Sequence, residues 1–547
     1  MTLMRMPKIP AGRGTEVQPD GDADPAGTGP GSPDADDSPG AAVPKQAQPG
    51  VAGAASVRSG AARVAALRAG LGRHWVLAGL LLAGLVLRVL AMVAYRPILF
   101  YIDSGKYLFH SGGNDPVGYR VPLRLILVVG NLDTVAAVQH LIGLAMAVAI
   151  YAVLARRGSP RWLAALAAAP VLLDAYELQI EQTVMPDVWL EALIVAGLAL
   201  LLWRPRTPLW MLAAAGATLG LSATFAQVGE CLVLPAVIYV LAAADGWRRA
   251  LARAGLVCVA FVVPILAYMS IAAAVTGHFW LSNTGTNGLY GRVAAAADCA
   301  TLRVPAAERP LCPAPAQKAA LGDDGLEHNP ASPRFGTHLP PAAASHLVAR
   351  FTRAVLSQQP MNVVSAIGRD TLKLFATDRV TDPGDTPIDR WQFQSRYPYY
   401  TPHATRAEVG SAIARSGGGR PAVSAGPASF LRGYQLHGGF TPGPLYLVAA
   451  LAGLGGSAAL IGWPLARRRA AHGQDGADGA GGGETGPRGL ALACLLFFAT
   501  GVAVLLVSDV FEFSWRYQLP ALVTLPPAGA LGLVVLTHWL RPARPRC

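Results

Sequence analysis

Ten apolar stretches, most of them near the length that crosses a lipid bilayer, occupy much of the chain between residues 75 and 540. They fall near 75–95, 134–155, 161–175, 187–203, 209–225, 228–244, 254–274, 441–463, 489–508 and 518–540. The third and fourth are short, so tilt, partial interfacial placement or packing inside a bundle is expected of them. Of the 547 residues, 52% are hydrophobic and 14% charged, against about 25% charged in a typical soluble domain. That excludes an ordinary soluble enzyme and a disordered chain. The expected fold class is an all-α, multi-pass integral membrane protein of about ten transmembrane helices.

The basic residues give an orientation. Arg156, Arg157 and Arg161 share one inter-span loop, and Arg204 and Arg206 share another. Arg248, Arg249 and Arg253, then Arg467, Arg468 and Arg469, and finally Arg541, Arg544 and Arg546 follow on the same side. That side is read as cytoplasmic, with both termini inside and the chain in the cell membrane. The domain reading is a disordered tail over 1–72, an N-terminal transmembrane module over 73–274, an extracytoplasmic loop region over 275–440, and a C-terminal module over 441–540 containing a Gly-rich linker at 467–488. A cytoplasmic tail at 541–547 closes the chain.

Net charge is +12. The cations flank apolar segments instead of lining one groove, so no nucleic-acid partner is expected. No CxxC pair occurs among the six cysteines. Cys299 and Cys312 flank twelve residues in the long outer loop. An exported loop can keep a disulfide, and these two are read as bonded, with two unpaired thiols as the alternative.

The first outer loop, 96–133, is the most informative segment. Asp103 follows the first span closely, and YRVPLRLILVVGNLD reads as an amphipathic, interfacial piece. A carboxylate held there suits a general base acting at the membrane face. Arg96, Lys106, Arg120, Arg124 and, in the last loop, Arg516 break the positive-inside pattern. An anionic partner such as a lipid-linked phosphate accounts for them, because arginine offers phosphate a planar fork. Contacts with ordinary headgroups, or with Asp115, Asp133 and Glu512, would account for them as well. Tyr517 sits beside Arg516 at the mouth of the last span.

A second acidic group lies in LLDAYELQIEQTVMPDVWLEALIV. Asp174, Glu177 and Glu181 are expected in or beside a short outer loop at 176–186. Asp187 opens the fourth span and Glu191 lies one turn deeper. A carboxylate inside a span needs a partner or a cavity, and Arg88 in the first span is a structural ion-pair candidate for Glu191. These outer acids could hold a divalent cation, but no tight His–carboxylate cluster stands out, and His140 reads as a satisfied polar contact. Trp391, Phe393, Tyr397, Tyr399 and Tyr400 could stack on sugars or sit at the interface. The segments around 345–377 read as amphipathic helices lying on the membrane or the bundle.

GLVLRVLAMV followed by IDSGKYL resembles the first span and first outer loop of the polytopic C-type (GT-C fold) glycosyltransferases that use polyprenyl-phosphate sugars, a group including protein O-mannosyltransferases and lipid A aminoarabinose transferases. VMPDVWLEALIVAGLALLLW resembles the segment in which an acid opens the fourth span, and RYQLPAL resembles an RY-x-x-P motif near the last spans. The paired-cysteine loop is similar to that of actinobacterial members. The resemblance covers roughly 75–275 and 441–540, with one departure, Ser104 where many relatives have a second acid. It implies a GT-C-like bundle and a membrane glycosyltransferase. Asp103 would be the catalytic base. Lys106, Arg120, Arg124, Arg516 and Tyr517 would hold the donor phosphate, with Glu181, Asp187 and Glu191 as supporting acids. It implies a polyprenyl-phosphate sugar donor, a lipid, glycan or protein acceptor, and contact with membrane lipids. No cofactor is required and a divalent cation is optional. A transporter or lipid flippase, and a non-catalytic envelope assembly protein, are the competing readings.

Overall fold

The computed structural model describes residues 72–101, 103–109, 116–282, 288–398, 406–471 and 486–540. The expected tail, most of the Gly-rich linker and the basic end at 541–547 lie outside the described residues, as do Asp115, Tyr399 and Tyr400.

Each of the ten apolar stretches forms helix. In chain order they are α1 (Trp75–Ala94), α4 (Leu132–Arg156), α5 (Arg161–Leu173), α7 (Asp187–Leu202), α8 (Leu209–Ala223), α9 (Val233–Ala243, entered by a 3-10 turn at Gln227–Leu232), α10 (Trp247–Thr276), α17 (Gly443–Ala471), α18 (Pro487–Ser508) and α19 (Ala521–Leu540). Six of these are long and apolar enough to cross a membrane among the described residues, or seven if α5 and α6 (Ala175–Glu181), which meet at 56°, are one broken span. Of the ten or so expected spans, the others fall short of this length. α7, α8 and α9 hold 16, 15 and 11 residues, whereas about 20 are needed to cross the hydrocarbon. The chain is a helical, multi-pass membrane protein. Its edges are visible in burial: only 11% of the apolar window of α10 is covered by protein, against 89% for the last span.

The α5–α6 corner corrects a second expectation. Residues 176–186 are not an exposed loop, since every residue of α6 is buried. Pro170 weakens the end of α5. Asp174 then caps α6 by accepting from the Tyr176 N–H at 3.0 Å. The same carboxylate accepts from the Thr441 N–H at 2.7 Å and pairs with Arg379 at 3.2 Å. Arg379 is in turn surrounded by the rings of Tyr176, Phe440 and Trp515 at 4.4, 5.1 and 5.4 Å. One acid thus joins the helix corner to two distant segments.

At the opposite end of α4, arginines satisfy helix-terminal carbonyls. Arg157 donates to Leu202 O at 2.7 Å and Arg204 O at 3.1 Å, and Arg488 donates to Ala242 O at 3.0 Å. Basic turns therefore gather at one end of the bundle.

The long loop holds more structure than its sequence suggests. It contains α11 (Tyr290–Ala296), α12 (Pro315–His328), α13 (Pro341–Gln358), α14 (Pro360–Lys373), α15 (Arg406–Arg415) and α16 (Ala425–Leu436). Tyr290, Val293, Leu311, Leu326, Val348, Phe351 and Val355 form a core of their own, and Cys299 is bonded to Cys312. Of the 345–377 helices, expected on the membrane or on the bundle, α13 instead turns its apolar face into this small core. α14 reaches the bundle, where Thr371 donates to Asp509 at 2.7 Å. Two short strands, Tyr95–Arg96 and Ala422–Val423, pair antiparallel across the same end.

Close helix contact sets one sensitive position. A Cβ at Gly532 of α19 would stand 2.0 Å from Ala452 O of α17, a backbone atom that cannot swing away. Gly532→Val should lower the melting temperature in detergent, with a cost at or above the roughly 1–3 kcal/mol of core overpacking; an unchanged melt would show that the two helices do not pack this closely.

Candidate active site

Asp103 precedes a short helix, α2 (Ser104–Leu108), and Arg120 opens the amphipathic α3 (Arg120–Val129). Val121, Leu125, Val128 and Val129 of α3 are exposed while Leu123 is buried. An apolar face turned outward beside a polar site fits a helix lying at a membrane surface.

Three residues far apart in sequence meet here. Arg516, on a 3-10 turn at Trp515–Gln518, places Nε 2.7 Å from Asp187 Oδ1 and Nη1 3.3 Å from Asp103 Oδ2. Lys106 Nζ lies 3.4 Å from Asp103 Oδ1. The Asp187 pairing is short, so Arg516 is anchored to α7. The Asp103 contacts are long, and the Asp103 side chain keeps 31% exposure against 12% for Asp187 and 10% for Arg516. Burial tends to raise the Asp103 carboxyl, but the neighbouring Lys106 and Arg516 charges outweigh it and leave the group below its ordinary value. Asp103 is thus an ionised, partly accessible carboxylate facing two cations.

Aromatic rings wall the site. Trp391 lies under Arg516 at 5.5 Å and packs on Tyr101 with centroids 4.3 Å apart. Burial pushes the Tyr101 phenol up to about 12. Among the described residues, two buried polar atoms beside Arg516 have no hydrogen-bond partner, Asp187 Oδ2 and Trp391 Nε1.

The remaining candidates fall into place around this group. Arg120 donates through Nε to Lys106 O at 2.9 Å, so part of its guanidinium holds α2 rather than an anion. Arg124 is exposed on α3, near enough to Arg120 for their charges to interact. Tyr517 donates to Glu512 at 3.1 Å. The pairing expected between Arg88 and Glu191 is corrected: Arg88 meets Glu181 at 2.5 Å, and His140 lies 2.7 Å from the other oxygen of Glu181. Gly143 makes room for this trio, since a Cβ there would fall 1.8 Å from Glu181 Oε1. Glu191 and Glu177 are fully buried and face each other, close enough for one carboxyl to hydrogen-bond the other.

The aromatic stretch also departs from expectation. Trp391 and Phe393 are buried. Phe393 stacks on Tyr95 at 5.4 Å, and Tyr397 donates to Ile98 O. These rings bind the loop subdomain to the first loop. Sequence reading singled out Asp103, Asp187 and Arg516 separately; their meeting, and the part of Tyr101 and Trp391, carry no local signal. Nor does the grouping of Asp324, His328 and Glu512, whose ligand atoms lie within 4.8 Å of one another.

No protein-family model matches the chain, and no curated protein matches it. Among solved structures, ArnT from Cupriavidus metallidurans in the apo state is similar with a TM-score of 0.31 and 16% identity, over 86% of this chain and 77% of that one. Fold and site together define a helical, multi-pass membrane protein with one charged, aromatic-walled site at one end of its bundle.

Asp509, at the end of α18, gives a pH prediction. Burial raises its carboxyl to about 7. Between about pH 4 and 7 the folded chain then holds a proton that the unfolded chain has lost, so stability falls as pH rises through that window and levels above it. Asp509→Asn removes this term. Its melt should gain on wild type from pH 4 to 7, at no more than about 1.4 kcal/mol per pH unit; parallel melts across that range would contradict the assignment.

Proposed function

We propose that the protein is a membrane glycosyltransferase that moves a sugar from a polyprenyl-phosphate donor to an acceptor hydroxyl at the outer face of the cell membrane, with both termini cytoplasmic. The observation that carries the reading is Arg516, anchored by Asp187 and loosely facing Asp103 at the end of the bundle away from the basic turns. The motif resemblance of the first loop, the fourth span and the RY-x-x-P segment points the same way.

In this reading the donor phosphate competes with Asp103 for Arg516 and Lys106. A phosphate that takes these cations removes what holds the Asp103 carboxyl down, so donor binding makes Asp103 a stronger base. Asp103 then accepts the proton of the acceptor hydroxyl. The hydroxyl oxygen attacks the anomeric carbon with inversion, and the bond from that carbon to the phosphate oxygen breaks. The electron pair leaves with the polyprenyl phosphate, whose charge Arg516 and Lys106 offset. The exposed apolar face of α3 suits an isoprenoid tail entering from the side. No step needs a cofactor.

A second reading, a proton-linked lipid carrier, draws on the buried carboxyl pair of Glu177 and Glu191. Membranes supplied with polyprenyl-phosphate sugars separate the two. Asp103→Asn should express normally and lose transfer by at least the roughly 100-fold typical of a lost general base. Unchanged transfer would remove Asp103 from the mechanism, and movement of intact donor lipid without transfer would favour the carrier.

A further inference from the structure

Beyond the Arg516 site, a second cluster carries chemistry of its own. Asp324 and His328 are four residues apart on α12, so one helical turn puts them on the same face. Glu512, from the turn after α18, reaches the same point. One ligand atom of each lies within 4.8 Å of the other two. His328 Nε2 stands 3.4 Å from Glu512 Oε2. This is a long ion pair, like that of Lys106 with Asp103, and two donors at about 2.1 Å from a tetrahedral zinc ion are likewise about 3.4 Å apart. The second oxygen of Glu512 is held by the Tyr517 hydroxyl, the kind of outer contact that orients a ligating carboxylate. The His328 side chain is 66% exposed and the Glu512 side chain 15%, so an ion has an entry from water and a fixed wall behind it.

We propose that Asp324, His328 and Glu512 form a site for a first-row divalent cation, best matched by Zn2+ because the donors are one imidazole and two carboxylates. Water completes the coordination. The ion ties α12 of the loop subdomain to the turn that carries Glu512, and through Tyr517 it steadies the neighbouring Arg516.

The test uses the full chain purified in detergent, stripped with EDTA and dialysed against Zn2+, with bound zinc measured by mass spectrometry and stability by thermal melt. Wild type should retain one more zinc per chain than His328→Ala or Glu512→Gln, and zinc should raise the melting temperature of wild type alone. Tyr517→Phe should weaken binding by about 10- to 100-fold while keeping the site. His328 is exposed, so its replacement leaves the fold intact. Equal zinc content in wild type and His328→Ala, or no zinc-dependent shift in wild type, overturns the proposal. Neither readout involves donor or acceptor, so the result stands apart from the fate of the transfer assay.

Discussion

A guanidinium withdrawn from water must be paired, and Arg516, near the end of the chain, is withdrawn between two carboxylates from its first half. The arrangement at this end of the bundle follows from that requirement. Asp187 opens α7, Asp103 leads into α2, and Arg516 lies just ahead of α19, so one cation fixes three helical segments against each other. The pairing is unequal. A short contact to Asp187 anchors the guanidinium, and a long one to Asp103 leaves a carboxylate that an incoming anion could displace. A site built this way is stable when empty and yields to a ligand whose charge matches the one displaced.

The surroundings obey the same rule. Asp174 spends its two oxygens on a helix cap, a distant backbone N–H and Arg379. Glu181 is shared by Arg88 and His140. Arg292 is bracketed by Asp323 and Asp370 in the loop subdomain. These pairs are worth less as sources of stability than as registers. Each admits one placement of the helices it joins, and they add to the apolar contacts of Trp391, Phe393, Ala428 and Leu431 with the bundle. Glu177 and Glu191 differ from these, since each has the other carboxyl as its neighbour and a shared proton takes the place of a cation.

Hydropathy is a local property, so all ten apolar stretches were legible as helices. Their ability to cross a membrane was not, because α7 to α9 are short and owe their burial to neighbours. The α6 segment reads as a loop in sequence because its Glu177 and Glu181 look solvent-seeking until Glu191 is placed beside the first and Arg88 and His140 beside the second. Asp103, Asp187 and Arg516 were each visible as charges in unusual places. Their convergence was not visible, because ion pairs across hundreds of residues leave no periodicity. The subdomain core was hidden for a related reason: Pro- and Gly-rich connections interrupt the apolar spacing that would reveal it. The same holds for Asp324 and His328, whose helical spacing is ordinary until Glu512 arrives from another loop.

The central claim is that Asp103 and a lipid phosphate compete for one guanidinium. Affinity for a short-chain polyprenyl phosphate, measured by native mass spectrometry on wild type, Asp103→Asn and Arg516→Gln, tests it most directly. Competition predicts that Asp103→Asn binds the lipid at least as tightly as wild type and that Arg516→Gln loses binding. Weakened binding in Asp103→Asn together with retained binding in Arg516→Gln would contradict it.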